Sequence, residues 1–439
     1  MGSLDELAGA ARRLPAGDPP AARNLSALLA ERVAARGHHP FLTFYDDASG
    51  ERTELSYATF DNWVAKTANL LVEELGVGRG DRVATVLGDH WTALVVAFAC
   101  WKVGSCVVPL TAGDPGPEPA LGPGPSAAAA FVRENLLGGD GFGGGAPCRL
   151  VAVGTGMGAR LTAPAALPPD VLPYGEEVPA FADDYDDPEV RLDDDALLVP
   201  GGGVSPAKVR LTQGNLLAAA EAVCAWGVGP GDRVLCAQPV QLVDSLALGH
   251  LGPLVAGGSV VLNRAPDPAG LWRRAAGERV TLLLASPTVV DRLPEGDPPE
   301  GLRGVLVASG AASDVLTDAG QRLPVAVGHG VVEACCASTL SPLPADGETT
   351  AWMRSAAGRP VGAVTARAAV AALDADGSPF PHGRTGQLAV RGPVVMAGYD
   401  GRADLDAEVF AAGWLATGDR GFTDTAPDGR VHAFVTGPA

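Results

Sequence analysis

Lysine is nearly missing from this chain of 439 residues: there are three, Lys66, Lys102 and Lys208, and none beyond position 208. Chemistry that needs a lysine in the second half is therefore excluded for this chain alone. Positive charge is scarce altogether. Lys and Arg number 32 against 51 Asp and Glu, a net charge of −19, which argues against nucleic acid and anionic membrane as partners. The seven cysteines are scattered, odd in number and without zinc-ligand spacing; they read as reduced, buried thiols of a cytoplasmic protein. A basic-then-apolar leader is lacking, since the N-terminus carries Asp5 and Glu6. No run has membrane length. The longest apolar region, 93–110, is interrupted by Lys102 and Gly104 and reads as a core helix and strand.

What is present fits an ordinary globular protein, with 47% hydrophobic residues and enough length for two or three subdomains. Residues 1–23 read as a loose leader. A helix is expected over 24–36, capped by Asn24 or Ser26, then a hairpin from 41–45 to 51–55. Residues 56–75 form an amphipathic helix capped by Ser56, 81–87 a strand, 90–103 a helix and 105–110 a strand. This alternation argues for a parallel α/β sheet. Pro/Gly stretches at 113–126 and 138–145 read as loops, with weak patterning between and after them, and the acidic run 183–195 as a solvated loop.

An internal echo follows. Residues 69–87 and 215–238 both read as helix, then Gly-x-Gly-Asp-Arg-Val, then strand, which suggests two similar α/β lobes. Short β-like segments at 368–373, 387–391 and 431–435 make a β-rich end. The expected organisation is a first α/β subdomain over 24–195, a second over 196–345, both doubly wound, and a β-rich, distorted-barrel subdomain over 346–439.

The stretch 197–216, LLVPGGGVSPAKVRLTQGNL, reads as strand, Gly-rich loop, then a helix capped by Thr212 and beginning near Asn215. That arrangement can aim backbone N–H groups at a phosphate, but it equally suits a structural turn. It matches neither the common P-loop nor the dinucleotide fingerprint.

The run 398–437, GYDGRADLDAEVFAAGWLATGDRGFTDTAPDGRVHAFVTG, resembles the adenylate-forming superfamily of acyl-CoA synthetases, luciferases and peptide-synthetase adenylation domains. The resemblance runs from about 27 to 437, weakly across 113–190. Residues 45–71 also look like short actinobacterial relatives without an assigned role. It implies an adenylate-forming fold, ATP or AMP with Mg2+ as cofactors, and a small carboxylate or acyl ligand. Carboxylate and ATP would give an acyl-adenylate and pyrophosphate.

Carried over residue by residue, the resemblance puts the phosphate loop on Val199 to Lys208, with Gly201, Gly202, Gly203 and Ser205 as nucleotide-binding candidates. The family's loop hydroxyls are replaced by Val199, Pro200, Gly202 and Gly203. Its lysine position holds Ala207, with Lys208 one place late as the candidate catalytic lysine. Glu333 of His329-Gly330-Val331-Val332-Glu333 matches the magnesium-binding catalytic carboxylate, Val332 replaces a threonine, and His329 takes the adenine-stacking position. Leu242 stands at the gating position, and Gly310 and Ala311 at the loop below the substrate carboxylate. Asp419 of Thr417-Gly418-Asp419 would hold ribose hydroxyls, or is a turn residue. The closing Gly-Arg is Gly437-Pro438, and the swinging C-terminal domain with its lysine is expected to be absent. Three readings stay open: an adenylation fold without most of its ATP chemistry, an active ligase completed by a partner protein supplying the C-terminal domain, and an unrelated nucleotide-binding α/β protein.

Overall fold

The structure is a computed structural model, and it describes residues 22–111, 126–137, 148–164, 167–186, 189–201, 207–264, 267–307, 324–340 and 347–438. Two sheets organise it. An eight-stranded sheet has a parallel body in the order Asp195–Pro200, Cys106–Pro109, Arg82–Val86, Ala129–Arg133, Arg149–Val153 and Val171–Pro173. Lys208–Thr212 and Gly398–Tyr399 add to its edge antiparallel. In the second sheet a parallel body runs Pro40–Asp46, Ser259–Arg264, Arg233–Ala237, Leu282–Ala285, Gly304–Val307 and Val325–His329. It continues antiparallel through Thr339–Leu340, Arg359–Val364, Val431–Pro438, Trp414–Thr425, Gly386–Arg391 and Ala369–Leu373. This is the expected class: parallel α/β sheets plus a β-rich end.

Local chemistry places the helices. Asn24 accepts from Ala27 N at 2.7 Å to start Leu25–Arg36. Ser56 accepts from Thr59 N at 3.1 Å to start Tyr57–Asn69. Thr212 and Asn215 cap Gln213–Ala222 reciprocally. All residues of Trp91–Val103 except Ala93 are buried, which explains its lack of a polar face. The echoed turn is real in three dimensions. Asp81 accepts from Gly78 N and Asp232 from Gly229 N, each at 2.8 Å, just before a parallel strand.

Several expectations change. The weakly patterned stretch holds three parallel strands, 129–133, 149–153 and 171–173. Short apolar runs buried on both faces show no alternation to read. The α-helix expected to reach 75 ends at Asn69 and loosens into a π turn, Leu70–Glu74. The acidic run is not wholly solvated: Asp194 holds Arg79 at 2.6 Å, and Asp195 opens a strand and pairs with Arg210 at 3.0 Å. Five cysteines are buried as expected, but Cys224 is exposed and Cys148 half-buried. The strands cross the subdomain divisions at 195/196 and 345/346. Lys208–Thr212 and Gly398–Tyr399 join the first sheet, and Pro40–Ser56 lies on the second. Residues 1–21, 112–125 and 138–147, holding most of the expected leader and loops, lie outside the described residues.

Beneath the second sheet, the buried His250 donates from Nδ1 to Ser245 O at 2.7 Å. Burial pushes its pKa down to about 4 from 6.5. The unfolded chain therefore binds a proton that the folded chain refuses, so this group's contribution is intact above pH 6.5 and is lost as pH falls toward 4. The urea midpoint of the wild type should drop across that window, and His250→Asn should flatten the drop. Equal pH slopes for both proteins would contradict the assignment.

Candidate functional site

The parallel body of the second sheet ends at His329, and the chain then folds back on itself. A Cβ on Gly330 would sit 2.7 Å from Cys336 C, so only glycine fits this close approach. Cys335 and Cys336 complete the turn with φ of 51° and 54°, a left-handed conformation that side-chain-bearing residues rarely adopt. Between them and His329, a single 3-10 turn, Val332–Ala334, carries Glu333, which is buried. Its backbone oxygen accepts from Met396 N at 2.8 Å, which ties the turn to the 393–400 segment.

That segment supplies the first partner. Tyr399 pairs with Val209 at the edge of the first sheet, and its hydroxyl donates to Glu333 Oε1 at 3.0 Å. Burial, and then the Glu333 charge, push the Tyr399 pKa well above its usual value, so the phenol stays a donor. Gly201 lies against the same carboxylate: a Cβ there would stand 3.2 Å from Glu333 Oε1 and 3.1 Å from Ala207 O. Gly201 N donates to Ala207 O at 3.0 Å, closing the base of the Gly-rich loop.

The second acid meets a different partner. His329 Nε2 lies 2.9 Å from Asp419 Oδ2, joining the end of the parallel body to the antiparallel strand Trp414–Thr425. Asp419 N donates to Thr417 Oγ1 at 3.2 Å, and Thr417 Oγ1 donates to Leu388 O at 3.0 Å. The side chains of His329 and Asp419 are 15% and 25% exposed, so the bond is partly shielded from water.

Of the predicted site residues, Gly201, Glu333, His329 and Asp419 come together at this junction of the sheets. Lys208 is close by in sequence and space, on the strand that pairs Pro200 with Lys208, and its backbone oxygen accepts from Asp400 N at 2.8 Å. The other two lysines serve the scaffold: Lys66 Nζ donates to the carbonyls of Phe181 and Pro179, and Lys102 is buried beside Ser26. Gly202, Gly203, Ser205, Gly310 and Ala311 lie outside the described residues. Leu242 is exposed at 44%, on a turn anchored by Asp89, which accepts from Val240 N at 2.8 Å. The apolar cavity beside that turn, lined by Leu87, Leu94, Ala97, Val107 and Leu246 among others, measures about 30 Å³.

One expectation is corrected outright. The order is not strand, loop, helix: the Gly-rich stretch joins two antiparallel strands, Asp195–Pro200 and Lys208–Thr212, and the helix starts only at Gln213. The helix N-terminus therefore does not follow the loop directly. Sequence reasoning also missed Tyr399. Its place in the Gly398-Tyr399 pair was visible, but its contact with Glu333, 66 positions away, was not. Among the described residues no group of three or more His, Cys, Asp or Glu could hold a metal. A magnesium ion at Glu333 would depend on ligand phosphates for most of its coordination.

Comparisons with known proteins agree with this architecture. A family model described as AMP-binding enzyme matches residues 29–122 and 205–400. The chain is 35% identical over 246 residues to a Mycobacterium tuberculosis protein named only for its family, covering 56% of this chain and 91% of that one. It is 31% identical over 395 residues to a feruloyl-CoA synthase of Amycolatopsis, covering 87% of this chain and 73% of that one. It spans about half the length of other curated CoA ligases that it matches. In fold it is similar to the N-terminal domain of FACL13 from Mycobacterium tuberculosis, with a TM-score of 0.75 at 18% identity, covering 95% of this chain and 100% of that one. Among the described residues no helix is long and apolar enough to cross a membrane.

The Tyr399–Glu333 bond makes a direct prediction. A hydrogen bond to a charged group is worth about 1.5–3 kcal/mol. Tyr399→Phe should lower unfolding free energy by about that amount in urea, and the effect should vanish in a Glu333→Leu background. A loss unchanged in that background would show that the phenol acts elsewhere.

Proposed function

The chain belongs to the AMP-binding enzyme family, and we propose that it is an acyl-CoA-synthetase-like member whose adenylation chemistry is lost or strongly reduced. It acts as a binding, partner or repurposed scaffold for a small carboxylate or acyl ligand. The observation that carries this reading is that both surviving acids have internal hydrogen-bond partners, Glu333 from Tyr399 and Asp419 from His329. A metal or a ribose would have to compete with a donor already in place.

Two further observations support it. The loop side chains that would donate to phosphate are gone, Pro200 removes an N–H as well, and the family match lapses over 123–204, across the front of that loop. The loop's own lysine position holds Ala207 instead. Loss of one preorganised donor typically costs about 10²–10³ in rate, and such losses are not simply additive. A cytoplasmic setting belongs to the same reading, since none of the seven cysteines is in a disulfide.

A second reading keeps the protein an adenylate-forming ligase completed by a C-terminal domain in trans. Its specific support is that Glu333 lies beside Gly201, as a metal-binding carboxylate next to a phosphate loop would. Pyrophosphate release from Mg·ATP with a panel of carboxylates separates the two. The first reading predicts background release whatever the carboxylate. Robust carboxylate-dependent release, abolished by Glu333→Gln and Asp419→Asn, would overturn it in favour of the second.

A further inference from the structure

We propose that His329 is the specificity-determining residue of this pocket: it holds Asp419 in the place of a ribose, and thereby excludes adenosine nucleotides from the site. The proposal deepens the reading above and rests on its assignment of the pocket. By resemblance, residue 329 faces an adenine and residue 419 takes the ribose hydroxyls. A bound nucleoside would therefore need the Asp419 carboxylate for its ribose. Here that carboxylate is already taken by His329, with Nε2 and Oδ2 at 2.9 Å.

The bond is built rather than incidental. His329 is the last residue of a parallel strand and pairs in register with Thr339, whose hydroxyl is fixed by Val361 O at 2.5 Å. Asp419 lies in a strand paired with Val431–Pro438, where its Cα partner is Pro438, and its backbone N–H is bound by Thr417. Gly418, at φ 81°, lets the chain turn between Thr417 and Asp419. Both side chains are mostly shielded, so water competes weakly for either partner. Hydrogen bonds of this kind shift an equilibrium by about ten- to a hundredfold, which is the penalty a nucleotide meets when it must displace His329.

The geometry also states what removes the block. Phenylalanine at 329 keeps a flat ring but has no N–H for Asp419, and alanine removes the ring. Either frees the carboxylate for ribose hydroxyls while leaving the Tyr399–Glu333 pair untouched.

The test is AMP binding by isothermal titration calorimetry on the full chain, without magnesium, for wild type, His329→Phe, His329→Ala and His329→Phe/Asp419→Asn, each first shown to keep a cooperative thermal transition. The expected result is at least about tenfold tighter AMP binding in both single variants than in wild type, with the gain lost in the double variant. Two folded single variants no better than wild type would overturn the proposal, as would a gain that survives Asp419→Asn. If one single variant fails to fold, the other decides. The pyrophosphate assay stays separate. Robust carboxylate-dependent release by the wild type would remove both readings, since a site that uses ATP does not exclude it; background release with no gain in the single variants would remove this one and leave the lost-activity reading standing.

Discussion

A carboxylate shielded from water must find a donor, and this requirement shapes the junction between the two sheets. Glu333 and Asp419 sit where the parallel body of the second sheet passes into its antiparallel continuation. Each is met by a side chain from a distant element: Tyr399 from the edge of the first sheet, His329 from the end of the last parallel strand. The two bonds act as clamps. One ties the first sheet to the Glu333 turn, and the other ties the parallel body to the β-rich end. Both acids thereby serve to hold the fold together.

The scaffold around the junction is conservative by comparison. Parallel strands lead toward it in both sheets, the capped helices pack between them, and the turn carrying Glu333 stores two left-handed cysteines at its end. Backbone strain of that kind persists where surrounding structure overdetermines it. Met396 N on Glu333 O and the close packing of Gly330 on Cys336 do so. A turn this constrained holds the Glu333 carboxylate in one place, where Tyr399 meets it.

How much of this was legible in the sequence follows from distance along the chain. Asn24, Ser56 and Thr212 cap where they were expected to, because a cap acts within three residues. The echoed Gly-x-Gly-Asp-Arg-Val turns were readable for the same reason. The strands at 129–133, 149–153 and 171–173 were not, since a strand buried on both faces carries no alternation. The antiparallel pair Asp195–Pro200 and Lys208–Thr212 reads in sequence as strand and helix because Val209-Arg210-Leu211 is too short to announce itself. His329 and Asp419 were each singled out by motif, but their meeting across 90 positions depends on the sheet continuing from one body into the next, which no local pattern encodes. The family itself was legible because its motif at 398–419 is long and specific.

If Asp419 belongs to His329 and not to a nucleotide, the imidazole ring reports it. Ring 15N spectra of histidine-labelled protein test this most directly, with His329 assigned among the seven histidines by His329→Gln. The expected result is a proton held on Nε2 of His329, a signal that shifts in Asp419→Asn and stays unchanged on adding excess AMP and magnesium. Displacement of that signal by AMP in the wild-type protein would contradict it.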